Sequence, residues 1–539
     1  MRGEQTTLWP FAEELALVRL AIALGGAAYG GPLSSAEESL VREAIDIEGP
    51  PRHEILGIQA EIRSGCDPLG ERLLRARGQV ARRGLGQVFT PENIVSPMVD
   101  WIVEQAPDRA VDAGCGSGRF ALALSRKSKA FEIVAIDSDP LSTLTTRAGL
   151  ASLRHAHATV LNADYTQALL PPFIGKTAFL GNPPYVRHHA LSAATKAWGQ
   201  KAVRRTGIAM SGLAGLHAYF FVATALHSRP GDVGCFVTSS EWLDVNYGEV
   251  IRRLLLDGLG GRSIHVLQPK SRPFDSAATT AAITCFETGS RPSSIRIRMV
   301  NQTSELTPLT AGRPIARERL MEARRWLPLI RSKPVIPDGY VELGELCRVH
   351  RGAVTGSNAT WIVPGNAMLA IPERYQFPSI TKARELIHAG VSLNDTASLR
   401  RVIDLPVDLD ELDRAELKAV ERFLKIVKAA GAADGYVAQN RKAWWSVGLR
   451  EAAPILATYM ARSAPSFVKN IAAARHINIA HGVYPMMSLP DYAIDRLTHA
   501  LRGAMSIGLG RTYAGGLVKF EPREMERIPV PSLGTLLEK

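Results

Sequence analysis

Four consecutive residues, Asn182-Pro183-Pro184-Tyr185, form the segment of this chain best suited to chemistry. Two prolines fix φ and remove two backbone donors. The Pro183 carbonyl and the Asn182 side-chain oxygen are left to act together as acceptors, with the flat face of Tyr185 beside them. Such a set suits a planar amine. An amine of that kind is a poor nucleophile because its lone pair is delocalised into the ring. Two acceptors on its hydrogens favour a more pyramidal nitrogen, able to attack an electrophilic methyl group in line, and no covalent enzyme intermediate is required. Methylation of a cytosine ring carbon would instead need a thiolate in a Pro-Cys dipeptide. The residues before Cys66, Cys115, Cys235, Cys285 and Cys347 are Gly, Gly, Gly, Thr and Leu, which excludes that route.

A second constellation precedes the first. RAVDAGCGSGRFALAL (109–124) reads as a strand, a glycine-rich turn and a helix. Gly114, Gly116 and Gly118 let backbone pass close to a ligand, and the helix that follows offers free N–H groups. Asp112 lies two positions before the loop. Asp137, at the end of the next strand, is placed to accept from both hydroxyls of a ribose. Asp164, at the end of the third, is placed to accept from an adenine amine. The spacing is not that of a dinucleotide fingerprint, and carboxylates replace a phosphate cradle. S-adenosylmethionine carries no phosphate, so the pattern points to an adenosyl methyl donor.

The elements that must hold these residues follow from periodicity. Short apolar runs recur at 131–137, 158–164, 177–182, 234–239, 263–268, 281–287 and 295–300, with helical stretches such as 92–106, 139–153 and 246–258 between them. Strand–helix alternation over this length predicts an α/β fold with a mostly parallel, doubly wound, Rossmann-like sheet. The last two runs, joined by a short loop, predict a closing hairpin. Residues 1–85 read as a helical segment, with helices at 11–24 and 34–47 and a third from 71. The resulting division is 1–85 helical, 86–300 catalytic, 301–334 linker and 335–539 a mixed α+β domain.

Composition sets the outer limits. The chain has 539 residues, 46% hydrophobic and 22% charged, with a formal charge of +12. That is an ordinary globular composition and excludes wholesale disorder. The longest apolar runs are too short to span a bilayer, and the first residues, interrupted by acids, do not read as a signal peptide. Sparse cysteines without a CxxC pair predict a reducing, cytoplasmic setting and no metal site. Residues 1–300 carry 32 Lys+Arg and 28 Asp+Glu, a net of +4, against 32 and 24, a net of +8, in 301–539. The more basic C-terminal part is where phosphate neutralisation would operate.

These motifs resemble the gamma class of adenine-N6 DNA methyltransferases of restriction–modification systems. In that class an FTP-type segment, here GQVFTPENIVSPMVDWIV (86–103), precedes the glycine loop and the tetrapeptide, and a target-recognition domain follows. The resemblance implies that Thr90 touches the methionine end of the cofactor. It also implies that Asp112, Gly114, Gly116, Asp137, Asp164, Tyr165 and Asn182 line the cofactor site, and that Asn182 to Tyr185 are catalytic. A base in a duplex cannot reach such a pocket, so double-stranded DNA would present a flipped base, stacked on Tyr185 and Phe274. VHRGAVTGSNATWIV (349–363) resembles the opening of a recognition domain and RTYAGGLVKFEPREMERIPVP (511–531) its end. Within it, Asn358, Trp361, Arg441, Trp444, Arg475 and Asn478 are of types that contact bases and phosphates. A separately encoded restriction endonuclease is the implied protein partner. An NPPY methyltransferase of rRNA or of a protein glutamine is the alternative, though it would lack so long a basic C-terminal domain. Cytosine N4 is the other, though its tetrapeptide more often begins with Ser or Asp.

Overall fold

The computed structural model describes residues 10–77, 88–268, 281–330, 336–461, 465–504, 511–513 and 517–538. The chain divides into two compact units, Met1–Ser332 and Lys333–Lys539. Among the described residues no helix is long and apolar enough to cross a membrane.

The first unit is built on a nine-stranded sheet of order 3-2-1-4-5-7-6-8-9. Its strands are β1 (Arg109–Ala113), β2 (Glu132–Asp137), β3 (Ala158–Asn162), β4 (Thr177–Gly181), β5 (Val233–Ser239), β6 (Gly261–Leu267), β7 (Ala281–Glu287), β8 (Ser294–Val300) and β9 (Arg313–Ala316). Its described helices of eight or more residues are α1 (Pro10–Ala23), α2 (Ser35–Glu43), α3 (Arg52–Ser64), α4 (Pro68–Ala76), α5 (Glu92–Glu104), α6 (Arg119–Lys127), α7 (Pro140–Leu153), α8 (Ala193–Thr206), α9 (Leu216–His227) and α10 (Glu249–Leu256).

Strands β1 to β5 are parallel. They read as continuous apolar runs because helices cover both faces, and every residue of β1, β4 and β5 is buried. Alternate residues serve opposite faces: Val111, Val134, Phe179 and Phe236 pack against α9 and α10, while Ala110, Ile133, Ala178 and Cys235 pack against α5 and α6. Strand order reverses between β1 and β4, and the crevice outside their carboxyl ends is where such sheets bind ligands.

Two expectations are corrected. The closing hairpin does not form: β7 runs antiparallel between β5 and β6, and β8 lies beyond β6 and parallel to it. Both edges of β7 are already occupied, so β8 takes the free edge of β6. Nor are residues 301–330 a linker. Strand β9 pairs with β8, and Trp326 is fully buried against Trp242, ring centroids 6.2 Å apart, with its indole N–H donating to the Leu320 carbonyl at 3.0 Å.

Helices α1 to α4 form a further layer over α7. Leu17, Ala21, Ile58, Ile62, Leu69 and Leu73 meet Leu141, Leu144 and Ala148 of α7 in one apolar cluster. Eleven of the 14 residues of α7 are thereby buried, which explains why that helix lacks a polar face. Its Arg147 is fully buried and pairs with the equally buried Glu37 of α2 at 2.8 Å. The same guanidinium donates to the carbonyls of Tyr29, Gly31, Pro32 and Val160 at 2.7–3.0 Å. With every donor satisfied, the pair is tolerated; losing one partner would leave an uncompensated buried charge at a cost of about 3–5 kcal/mol.

The second unit is α+β. A five-stranded sheet contains Cys347–Arg351, Ala480–Pro485, Ile455–Thr458, Phe467–Asn470 and Ser392–Leu393. Its inner face packs against the helix Asp491–Ala504 through Leu497 and Leu501. A four-stranded sheet packs against the helix Arg414–Ala429 through Val402, Val420 and Leu424.

Candidate active site

Three segments converge at the carboxyl ends of β1 and β4. Gly181 ends β4 at φ +150°, and a Cβ there would stand 2.4 Å from the Ala113 carbonyl oxygen. Only glycine lets β4 close on β1 at that point, which delivers Asn182 to the glycine loop. A Cβ on Gly114 (φ +74°) would lie 3.9 Å from Pro184 Cδ, and one on Gly116 (φ +56°) 3.1 Å from Phe89. The glycine loop, the tetrapeptide and the segment 88–90 are therefore packed side by side.

Asn182 is held by its amide, which donates to the Val88 carbonyl at 2.8 Å. Its Oδ1 is buried without a hydrogen-bond partner among the described residues. A buried acceptor left open this way costs about 1–3 kcal/mol, so a hydrogen-bond donor brought to it by a ligand would be stabilised there. Tyr185 follows with its ring half-buried, and burial raises its phenol well above the usual range, so it is a neutral ring.

The carboxylates divide by role. Asp137, at the end of β2, accepts from the Gly116 N–H at 2.9 Å and from the Asp139 N–H at 3.0 Å, one on each oxygen. These bonds orient it and leave each oxygen a lone pair; burial nevertheless pushes its pKa up to about 6. Asp112 is wholly buried and accepts from the Ala121 N–H of α6 at 3.0 Å, with its other oxygen unpartnered among the described residues. Burial, then the nearby Asp137 charge, raises it to about 7. It anchors the helix behind the loop. Asp164, half-buried, accepts from the Thr166 N–H at 2.9 Å and hydroxyl at 2.8 Å and so caps its own turn.

Other expected residues lie elsewhere. The Tyr165 side chain is in the core, its hydroxyl 2.8 Å from Thr224 Oγ1 and its ring 5.0 Å from Phe220, and does not line the site. Thr90 is buried and enters through its carbonyl, which accepts from Arg119 at 2.8 Å. Phe274 lies outside the described residues. In the second unit Trp361 is 1% exposed, packed on Phe423 and Trp444, so it is core and presents no face to a base. Trp444 belongs to the same cluster. Arg441 donates to the Val354 carbonyl. Arg475 is spent on the Arg450 carbonyl at 2.6 Å and Glu451 at 2.9 Å. Asn358 is exposed and Asn478 half-buried.

Residue-type reasoning missed four participants because their partners are distant in sequence: Asp67 and Arg77 in the amino-terminal layer, and Arg119 and Asp139 beside the motifs. It also passed over a signal that needs no structure. Between Asp164 and Asp232 there is no acidic residue, while Lys176, Arg187, Lys196, Lys201, Arg204, Arg205 and Arg229 lie in that interval.

A parallel sheet with its reversal at β1/β4, a glycine loop, a strand-end carboxylate and an amide acceptor at the end of β4 are the features of a Rossmann-like methyltransferase sheet. This chain belongs to the Type II methyltransferases of restriction–modification systems, which act on DNA. It is 47% identical over 514 residues to the Type II methyltransferase M.XamI of Xanthomonas campestris pv. amaranthicola, spanning 94% of this chain and 95% of that one. It is 22% identical over 477 residues to M.AccI of Acinetobacter calcoaceticus, spanning 84% and 87%. Residues 333–539 match the C-terminal domain of the Type II methyltransferase M.Eco57I, beginning where the second compact unit begins. The Type IIL restriction–modification enzyme MmeI, solved in complex with DNA, shares the fold with a TM-score of 0.53 at 14% identity, over 89% of this chain and 71% of its own.

Proposed function

We propose that this chain methylates the N6 amine of an adenine flipped out of duplex DNA, with S-adenosylmethionine as donor. The single observation that carries the reading is the open Asn182 Oδ1, pinned by Val88 beside the glycine loop. With the Pro183 carbonyl it supplies two acceptors for the two hydrogens of an exocyclic amine, drawing the lone pair out of ring conjugation. Tyr185 supplies a neutral face for stacking.

The residues present fit the donor. Asp137 keeps acceptor capacity for a ribose diol, Gly114 and Gly116 hold the left-handed turn between β1 and α6, and Asp164 stands at the end of β3 with its carboxylate half-exposed. When bound, S-adenosylmethionine supplies an electrophilic methyl group on a sulfonium. The chain orients that group and the amine toward each other.

The acid-free interval supports a DNA acceptor. Helix α8, which follows the tetrapeptide, exposes Lys201, Arg204 and Arg205. Its outer face fits the phosphates beside a flipped base. The second unit would read the sequence, a separately encoded endonuclease would be the restriction partner, and the cytoplasm, with the cell's DNA, would be the setting.

Modification-sensitive sequencing of DNA from cells expressing the chain tests this. N6-methyladenine in one recurring sequence context is the expected result. N4-methylcytosine would move the reading to the other amine. Unmodified DNA with methylated rRNA or protein glutamine would overturn it.

A further inference from the structure

The amino-terminal layer reaches the glycine loop and the Asp137 turn through two polar clusters. The first centres on Asp67, which precedes α4 and caps it, its Oδ1 accepting from the Gly70 N–H at 2.8 Å. Its Oδ2 accepts from the Ser117 hydroxyl, inside the glycine loop, at 2.7 Å and from Arg119 Nε at 2.6 Å. Arg119 spans onward to the Thr90 carbonyl at 2.8 Å and lies over the Phe89 ring at 5.4 Å. One carboxylate thus ties together the glycine loop and the segment 88–90. Asp67 and Arg119 side chains are 12% and 23% exposed, sheltered enough for a charged contact to persist in salt.

The second cluster centres on Arg77, just past α4. It meets both oxygens of Asp139 at 2.5 and 2.6 Å and Glu14 of α1 at 3.0 Å. A bidentate guanidinium–carboxylate pair fixes geometry as well as charge. Asp139 in turn caps α7 through the Ser142 N–H at 3.2 Å and gives its own N–H to Asp137 Oδ1 at 3.0 Å. Burial raises the Asp139 carboxyl, and Arg77 outweighs this, holding it below the usual range.

We propose that the amino-terminal helical layer is a brace for the cofactor site, with Asp67 and Arg77 as positioning residues that hold the glycine loop and Asp137 ready for an adenosyl ligand. The proposal rests on the S-adenosylmethionine reading above. Neither residue touches the ligand; each acts through Ser117, Arg119 or Asp139. Ligand binding and docking of the layer are therefore linked, each tightening the other.

The test uses the full chain and its Asp67→Ala and Arg77→Ala variants. Calorimetry with S-adenosylmethionine and with S-adenosylhomocysteine reads affinity. Hydrogen exchange without ligand reads the order of residues 114–120 and 137–142, with the β5 peptide as the fold control. Each variant is expected to bind both ligands about 10-fold or more weaker, the loss of a charge-assisted bond. Exchange should quicken in the two loop segments and stay unchanged in β5. Arg77→Lys should recover part of the affinity, and Asp67→Asn, which keeps an acceptor for Ser117, should fall between. Those two variants decide the matter if either alanine variant fails to fold. Unchanged affinity and exchange in folded variants would overturn the brace alone. An unaltered chain that takes up neither ligand would overturn the functional reading beneath it.

Discussion

The stretches of chain on the two sides of the β1/β4 crevice differ in their ionisable residues. On the β1–β2–β3 side stand Asp112, Asp137, Asp139 and Asp164, with Asp67 reaching in from the amino-terminal layer. On the other side, the stretch 165–231, which carries β4, α8 and α9, has no acidic residue. The first side suits hydroxyls, amines and a sulfonium cation; the second suits a polyanion. The net charge of +4 over residues 1–300 hides this sorting, since it averages an acid-bearing stretch with an acid-free one. On the proposed function, the +8 of the C-terminal part would share the phosphate contacts with the basic residues of 176–229.

The most severe way to break this comparison is at its seam. Asn182→Ala should lower turnover by about 10²–10³-fold, the scale for losing one preorganised polar group, while cofactor affinity measured by calorimetry stays within a few-fold. Near-normal turnover would end the two-acceptor account.

On the carboxylate side, Asp137→Ala should weaken S-adenosylmethionine binding by about 10- to 100-fold, through hydrogen bonds to a charged group, and leave DNA affinity unchanged. The unaltered protein carries a pH signature of the same residue. Ribose hydroxyls donate to the ionised carboxylate, so affinity should hold above about pH 6 and fall as Asp137 protonates below it. A flat profile from pH 5 to 8 would remove Asp137 from the ribose.

On the basic side, Tyr185→Ala should weaken binding of duplexes with a destabilised target base by about 1–3 kcal/mol. Lys201→Ala and Arg204→Ala should each weaken DNA binding uniformly across sequences and reduce the salt slope by about one. Unaltered salt slopes would show that α8 faces away from the duplex.

The smallest effect sharpens the role of Asp112. Its pKa in the fold, about 7, lies above its unfolded value of about 4. The folded state therefore binds the extra proton, and stability should decline as pH rises from about 4 to about 7. Asp112→Asn should flatten that decline, so its melting temperature should gain on the unaltered protein at pH 8 and not at pH 4.

Much of the candidate site's local scaffold was legible in short stretches of chain. The glycine loop, Asp137 and Asn182 to Tyr185 sit at strand ends, and each such turn is set by residues within a few positions of it. Legibility failed where the partner is remote. Trp361 looked like a base-contacting aromatic, but whether a tryptophan is core depends on Phe423 and Trp444, 62 and 83 positions away. Tyr165 followed its motif but points into the core, because α9 brings Phe220 and Thr224 against it. The strand at 295–300 was visible, but its neighbour was not, since pairing depends on which edge the rest of the sheet leaves free.

The sequence by itself determined the chemistry: local turns, strand ends and residue types specify which acceptors and carboxylates exist, and their spacing excludes a thiolate route. Only the tertiary structure decided how those groups are held. Asp67 meets Ser117 across 50 positions and Arg77 meets Asp139 across 62, contacts with no local periodicity to announce them. They form because α7 is buried on all sides and must be covered, and the layer that covers it brings its charges to the loop.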